Sequence, residues 1–304
     1  MNSKLSRLQR VFNLTFTRNF SPREGSQHGV QGRPALYGMI HVLPTAGSPL
    51  SKGESVSELV DRALEEAEIF RKYQSSFSGV IIENMFDTPY LRPEQMRAVS
   101  PHTVTTMAVV ANEVRRVLQR GEGFKIGIQI LSGANKEALA VAMATDCDFI
   151  RTEGFVFGHV GDEGWTQSCA GELLRYRRTV NAEHIGIFCD IQKKHSSHAI
   201  TSDLSVEDHA KAAEFFEADG VILTGKATGD PANVEQLHLV KNASKRLKVM
   251  IGSGIEPANI AEYAHADCLI VGSSLKVHDD WKNRLDETKI QTLVDQYQKI
   301  KLEN

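Results

Sequence analysis

Several ionisable residues fall where short apolar runs stop, and their types point to a small set of reactions. His41 ends the run 36–42, Glu83 and Asn84 follow 79–83 with Asp87 close behind, and Arg151 and Glu153 close 148–153. Asp190 ends 186–190, and "QKKHSSH" brings Lys193, Lys194, His195 and His198 directly after it. Glu83, Glu153 and Asp190 could exchange protons with a substrate as general acids or bases. With His41 or His195 they could instead hold a divalent cation, Glu83 and Asp190 being the first candidates, although no motif of fixed ligand spacing is present. A lysine here could steady a phosphate or sugar hydroxyl, or act as a Schiff-base amine if its pKa were lowered. Alternation along an extended loop turns only one of two neighbours inward, and Lys194 is preferred over Lys193. The competing expectation is that Arg151 and Glu153 form ordinary salt bridges. Charges this close to buried segments are costly unless paired or used.

A second set of strand ends is almost bare of side chains. "IGSGIEPAN" places Gly252, Ser253 and Gly254 after one apolar run, and "IVGSSLK" places Gly272, Ser273 and Ser274 after the next. "LTGKATGD" adds Thr224, Gly225, Thr228 and Gly229 after the run before them. Glycine removes the Cβ that would block a close approach, and free backbone N–H groups suit an anion. A phosphate-like group held by these amides is the expectation. Glycines that only make turns are the alternative.

Such residues need a scaffold that brings every strand end to one face. Eight runs qualify as strands: 36–42, 79–83, 125–131, 148–153, 186–190, 219–224, 247–252 and 267–272. Most are nearly all apolar rather than alternating, the pattern of parallel strands buried on both faces. Helical patterns lie near 55–73, 101–120, 134–144, 168–180, 205–217, 231–245, 256–264 and 286–302. In the first, Leu59, Ala63, Ala67 and Phe70 make one apolar stripe, with Asp61, Glu65, Glu66 and Glu68 largely off it. Eight strand–helix units predict an α/β fold, a (β/α)8 TIM barrel with a phosphate site at the C-terminal ends of strands seven and eight. A doubly wound open sheet would carry nucleotide-binding glycines after its first strand, which here ends "IHVLPTAGSPL". Residues 158–180, punctuated by Gly158, Gly161 and Gly164, are expected to form a flexible loop leading into a helix, either a lid or an ordinary connection.

The chain has 304 residues, 41% of them hydrophobic, and a formal net charge of −3. That balance makes no case for nucleic acid or an anionic membrane surface as a partner. No apolar run approaches the roughly 20 residues of a membrane span. None of the four cysteines forms a CxxC pair, so reduced thiols are expected rather than a zinc site or a disulfide frame. Residues 1–33 stand apart. Lys4, Arg7, Arg10, Arg18 and Arg23 face one acid, Glu24, while Leu5, Leu8, Phe12 and Phe16 share a helical face. A mitochondrial transit peptide is expected there, followed by one domain over 34–304; a basic tail on a cytoplasmic protein is the alternative. Arg175, Arg177 and Arg178 would line a solvated helix edge or a subunit contact, so a homo-oligomer stays open.

Several blocks occur in a familiar order. "MIHVLPTAGSP", "GVIIENMFDTPY", "DFIRTEGF", "DEGW", "AGELLRYRR", "DIQKKHSSHAIT", "DGVILTGKATGDP", "IGSGIEPANI" and "LIVGSSLK" resemble the BtpA family from about residue 37 to 285. That family is similar to phosphate-binding TIM barrels. The resemblance implies motif positions at His41, Glu83, Asn84, Asp87, Arg151, Asp190, Lys194 and His195. It fits an enzyme acting on a small phosphorylated metabolite, a sugar phosphate or a nucleotide, with hydrolase, lyase and isomerase chemistry all open and a divalent metal possible. The family namesake is linked to photosystem I biogenesis, which implies the alternative of a non-enzymatic assembly or stability factor.

Overall fold

Eight parallel strands close into a barrel in this computed structural model, which describes residues 32–92, 100–118 and 123–300. In chain order the elements begin β1 (Ala35–His41), α1 (Val56–Lys72), β2 (Gly79–Glu83), α2 (Pro101–Leu118) and β3 (Lys125–Gln129). They continue α3 (Asn135–Ala144), β4 (Phe149–Thr152), β5 (His159–Gly161), β6 (Gly164–Thr166), α4 (Ala170–Thr179) and β7 (Gly186–Asp190). Then follow β8 (Ser196–Ser197), α5 (Val206–Phe215), β9 (Gly220–Leu223), α6 (Val234–Ala243), β10 (Lys248–Ile251), β11 (Cys268–Val271) and α7 (Glu287–Tyr297). The barrel runs β1-β2-β3-β4-β7-β9-β10-β11 and back to β1. This is the expected TIM barrel. The leader 1–31 lies outside the described residues, while Arg33 belongs to the domain, donating to the carbonyls of Gln298 and Ile300.

The alternation of side chains along a strand sorts each barrel strand into two faces. Leu36, Ile40, Val80, Ile82, Ile126, Ile128, Ile150 and Ile187 face outward and bury against the helices. The other parity points into the barrel: Tyr37 and Met39 on β1, Ile81 on β2, Phe149 on β4, Ile222 on β9, Met250 on β10, Cys268 and Ile270 on β11. Large rings at the foot of the barrel each lie beside a glycine of a neighbouring strand. Tyr37 is in register with Gly79, Phe149 with Gly127 and Phe188 with Gly220. A Cβ at Gly127 would sit 2.3 Å from the Phe149 ring. The rings also meet one another, Tyr37 stacked on Phe149 at 5.5 Å and Phe149 edge-on to Phe188 at 5.4 Å. Together they seal that end.

Two helices begin with reciprocal caps. Ser55 and Glu58 form a reciprocal capping box on α1, and Ser205 and Asp208 form another on α5. Two expectations need correction. The helix read near 256–264 is only a 3-10 turn, Ile260–Tyr263. The Asn259 side chain accepts from the Glu256 N–H and donates to the Gly254 carbonyl, so a local turn competes with helix there. Glu66 is not off the packed stripe of α1 but buried on it, because Lys276 from the last loop reaches its Oε1 at 2.6 Å. Cys147, Cys189 and Cys268 are buried reduced thiols, as expected.

The ring-over-glycine floor makes a stability prediction. Gly127→Ala should lose about 1–3 kcal/mol, the usual cost of overpacking. Adding Phe149→Leu, which shortens the ring it would strike, should recover part of that loss. Urea midpoints of the single and double variants check it; equal midpoints for wild type and Gly127→Ala would remove the argument.

Candidate functional site

One layer above the apolar plug, the inward parity delivers His41, Glu83, Gln129, Arg151 and Asp190 from five consecutive barrel strands. Two inward positions on the remaining strands are Gly252 and Gly272. The rim is therefore charged on one side and bare on the other, and the bare side leaves space. A cavity of about 140 Å3 opens there, bounded by Met39, His41, Glu83, Arg151, Lys194 and the loops after β9, β10 and β11. A Cβ on Gly252 would come within 2.5 Å of the Ile222 side chain and 3.2 Å of Arg151 Nη2, so this glycine makes room for both.

Arg151 and Asp190 form a buried two-pronged ion pair, Nε to Oδ2 at 3.0 Å and Nη2 to Oδ1 at 2.9 Å. Burial works against the arginine's charge, but Asp190 outweighs it and the Arg151 pKa ends above its ordinary value. Both Asp190 oxygens are occupied by this fork. Glu83 is also buried, and burial raises its pKa, only partly opposed by Arg151 and Lys194. No side chain among the described residues donates a hydrogen bond to the Glu83 carboxylate. His41 places Nδ1 3.2 Å from the Trp281 carbonyl. Burial, with Lys276 nearby, pushes its pKa down to about 3, so the ring is neutral at physiological pH, donates through Nδ1 and keeps Nε2 as an acceptor.

The two adjacent lysines have separate fates. Lys193 turns beneath a β-hairpin made of β5 and β6, which pairs with β8 to form a three-stranded sheet beside the barrel mouth. Its Nζ lies 2.8 Å from Glu163 of the hairpin tip and 3.3 Å from Glu153. The stretch at 158–180 is therefore a built hairpin and a helix start, held down by a buried ion-pair cluster. The buried Arg92 adds a bond to Thr166 on β6. Behind the hairpin, His159, His198 and His209 gather, with ring centres 5.2 Å and 6.5 Å apart along the series. Burial lowers the His159 pKa to about 4. Lys194 instead lines the cavity. Its backbone N–H is held by Thr224 Oγ1 at 3.1 Å, between Gln192 and His195, both in left-handed backbone conformations.

The bare loops are tied together. Ser274 Oγ donates to the Ile255 carbonyl at 2.6 Å, joining the loops after β10 and β11. Ser253 Oγ donates to the Asp230 carbonyl and accepts from the Gly225 N–H, joining the loops after β9 and β10. Gly254 has φ +69°, and a Cβ there would lie 2.2 Å from Pro231. Its lack of a side chain thus serves loop packing. The Gly252 N–H is taken by the Leu223 carbonyl, whereas the N–H groups of Gly254, Ser273 and Ser274 find no acceptor among the described residues. Those three residues line the cavity.

Other residues singled out in the sequence lie elsewhere. Asp87 accepts from the Thr45 N–H and hydroxyl and from Asn84, while Asn84 Oδ1 accepts from the Leu131 N–H. These two pin the first loop to the end of β3 and do not border the cavity. His195 is exposed and accepts the Thr228 N–H at Nε2, clamping the loop after β9. Glu153 serves Lys193. Among the described residues no three His, Cys, Asp or Glu side chains are grouped to hold a metal ion. Glu83 shares the cavity with His41, while Asp190 is engaged by Arg151. The signals missed in the sequence were Glu163, Arg92 and Trp281, which sit in loops with no periodicity to reveal their contacts.

Removing one member of the central ion pair leaves a bare buried charge. Asp190→Ala should cost about 3–5 kcal/mol, and the apolar pair Arg151→Met with Asp190→Leu should restore most of it. Thermal and denaturant unfolding of the three proteins check this; an Asp190→Ala variant as stable as wild type would contradict it.

The fold is shared with solved barrels. Phosphoribosyl anthranilate isomerase from Thermus thermophilus superposes with a TM-score of 0.50 at 11% identity, covering 88% of this chain and 100% of that one. KGPDC from Streptococcus mutans gives 0.51 at 10% identity, covering 88% and 99%. By sequence, the chain is 45% identical over 259 residues to Uncharacterized protein F13E9.13, mitochondrial, of Caenorhabditis elegans, covering 85% of this chain and 91% of that protein. It is 32% identical over 261 residues to Photosystem I biogenesis protein BtpA of Synechocystis sp., covering 86% of each. Residues 33–299 match the family model described as BtpA family, and the chain belongs to that family.

Proposed function

We propose that this protein is an enzyme acting on a small phosphorylated metabolite bound at the C-terminal mouth of the barrel. One observation carries the reading. The unclaimed amides of Gly254, Ser273 and Ser274 border the same cavity as Arg151, Lys194 and the unpartnered carboxyl of Glu83. The amides would hold the phosphate, since oriented N–H groups in a partly dry site bind an anion strongly. Arg151 and Lys194 add positive charge beside it. Glu83, its pKa raised by burial, would move a proton at the reacting end. His41 offers a neutral acceptor for a substrate hydroxyl. The phosphoribosyl anthranilate isomerase named above is a barrel of this kind that by its name acts on a phosphorylated compound, which agrees with the reading. The cavity, about 140 Å3, falls below the roughly 300–1,000 Å3 of pockets for larger ligands, so a short-chain sugar phosphate suits it better than a nucleotide.

A role in assembly alone is suggested by the name of the Synechocystis relative, but a scaffold has no need for an unpaired acid and amine facing a cavity. The mitochondrial word in the name of the Caenorhabditis relative, with the basic amphipathic residues 1–33, supports a mitochondrial location. Residues 1–33 fused to a fluorescent reporter should carry it into mitochondria; a diffuse cytosolic signal would count against that location.

The binding claim is tested with inorganic phosphate. Phosphate should raise the melting temperature of the wild-type protein, by about 2.7 kcal/mol of stability at a hundredfold excess over its Kd. Ser273→Asp, which puts a carboxylate where the anion sits, should erase the shift while leaving the unliganded melt near that of wild type. A melting temperature that does not respond to phosphate, or a Ser273→Asp variant that responds equally, would defeat the reading.

A further inference from the structure

Three lysines lie in or next to the buried interior of this barrel, and two of them are neutralised. Lys193 has two carboxylates, Glu153 and Glu163, and Lys276 has Glu66 at 2.6 Å. Lys194 forms no side-chain hydrogen bond or ion pair with any of the described residues, although its backbone is fixed on both sides. Its amine borders the cavity that also holds Glu83 and His41. An amine brought to a cavity, held by a rigid loop and left without a counter-ion is in the position a nucleophile needs.

We propose that Lys194 is a covalent catalytic residue that forms an imine with the carbonyl carbon of a phosphorylated aldehyde or ketone. The proposal rests on the phosphate-binding reading above and narrows its substrate class to carbonyl compounds. Nζ attacks the carbonyl carbon with its lone pair, and the carbonyl π electrons move onto oxygen. That oxygen takes a proton from the Glu83 carboxylic acid, while the nitrogen loses one to water. The carbinolamine oxygen then takes up the proton released to that water, its C–O bond breaks, water leaves, and a C=N bond forms with the positive charge on nitrogen. Amine, carbonyl compound and one proton are consumed; iminium and one water are produced. No oxidant or reductant is needed.

The electrostatics agree with the geometry. Burial, and then the Arg151 charge, lower the Lys194 pKa, against the opposing pull of Glu83, Asp190 and Glu153. Burial raises the Glu83 pKa. The amine is thereby biased toward its free base and the acid toward its protonated form, the two states that imine formation requires. Arg151 would keep its charge throughout because Asp190 holds it.

Glyceraldehyde 3-phosphate with sodium borohydride tests this on the full-length protein, with the adduct located by peptide mass mapping. Lys194, an amine held at the cavity, should be labelled at least about tenfold faster than the exposed Lys211. Inorganic phosphate should compete with the labelling. Lys194→Arg should lose the fast adduct. If Lys194 reacts no faster than Lys211 while phosphate still stabilises the protein, the imine proposal fails and the phosphate reading stands. If Lys194 reacts quickly but phosphate neither competes nor stabilises, the amine chemistry stands and the phosphate site falls. The wild-type measurement decides the matter even if the variant does not fold.

Discussion

A barrel of eight strands has too little room at its foot for rings on every strand. The pairing of each ring with a neighbouring glycine resolves that constraint. Tyr37, Phe149 and Phe188 occupy the space that Gly79, Gly127 and Gly220 vacate, and they fill the N-terminal end as an apolar plug. Aromatic contacts of this geometry add a modest increment beyond the area they bury. The architectural consequence is larger. A sealed foot sets the register of all eight strands, and that register decides which residues face inward two positions further along. His41, Glu83, Gln129, Arg151 and Asp190 reach the mouth because each is an even number of positions from the apolar plug.

The charged layer is organised by satisfaction of buried groups. Arg151 and Asp190 bond to each other in a two-pronged pair, and Lys193 bonds to Glu153 and Glu163. Buried ion pairs contribute little net stability, but losing half of one is costly. Their effect here is positional. Lys193 locks the hairpin Glu163 belongs to, and Arg151 is held against Gly252 at the edge of the cavity. Glu83 and Lys194 are left over, the acid without a donor and the amine without an acceptor. Unpaired buried acids and amines are expensive, and their persistence in one cavity is where chemistry is most economically sought.

The glycine- and serine-rich loops serve two purposes that the sequence motif does not separate. Gly254 and Gly225 let the loops after β9 and β10 pack against each other, since a Cβ at either would strike residues 230–231. Ser253 and Ser274 spend their hydroxyls on carbonyls of neighbouring loops. The backbone amides of Gly254, Ser273 and Ser274 find no acceptor among the described residues. The side chains brace the loops, and the main chain would meet the anion.

Much of this was legible in the chain itself. Eight apolar runs separated by helical patterns determine a closed parallel barrel, because strands buried on both faces need helices outside and a filled interior. The positions of the bare strand ends, after the seventh and eighth runs, were equally plain, whereas which of Lys193 and Lys194 turns to the cavity was left to the fold. The pairing of charges was not legible. Asp190 read as an acid, base or metal ligand and binds Arg151, His195 read as catalytic and clamps a loop, and Asp87 and Asn84 read as ligands and hold Thr45 and Leu131. Glu66 read as solvated and meets Lys276, 210 residues away. A strand's period of two is a local property that sequence spacing carries. Which cation answers which carboxylate depends on where distant loops meet across the barrel mouth, and only the closed fold decides that.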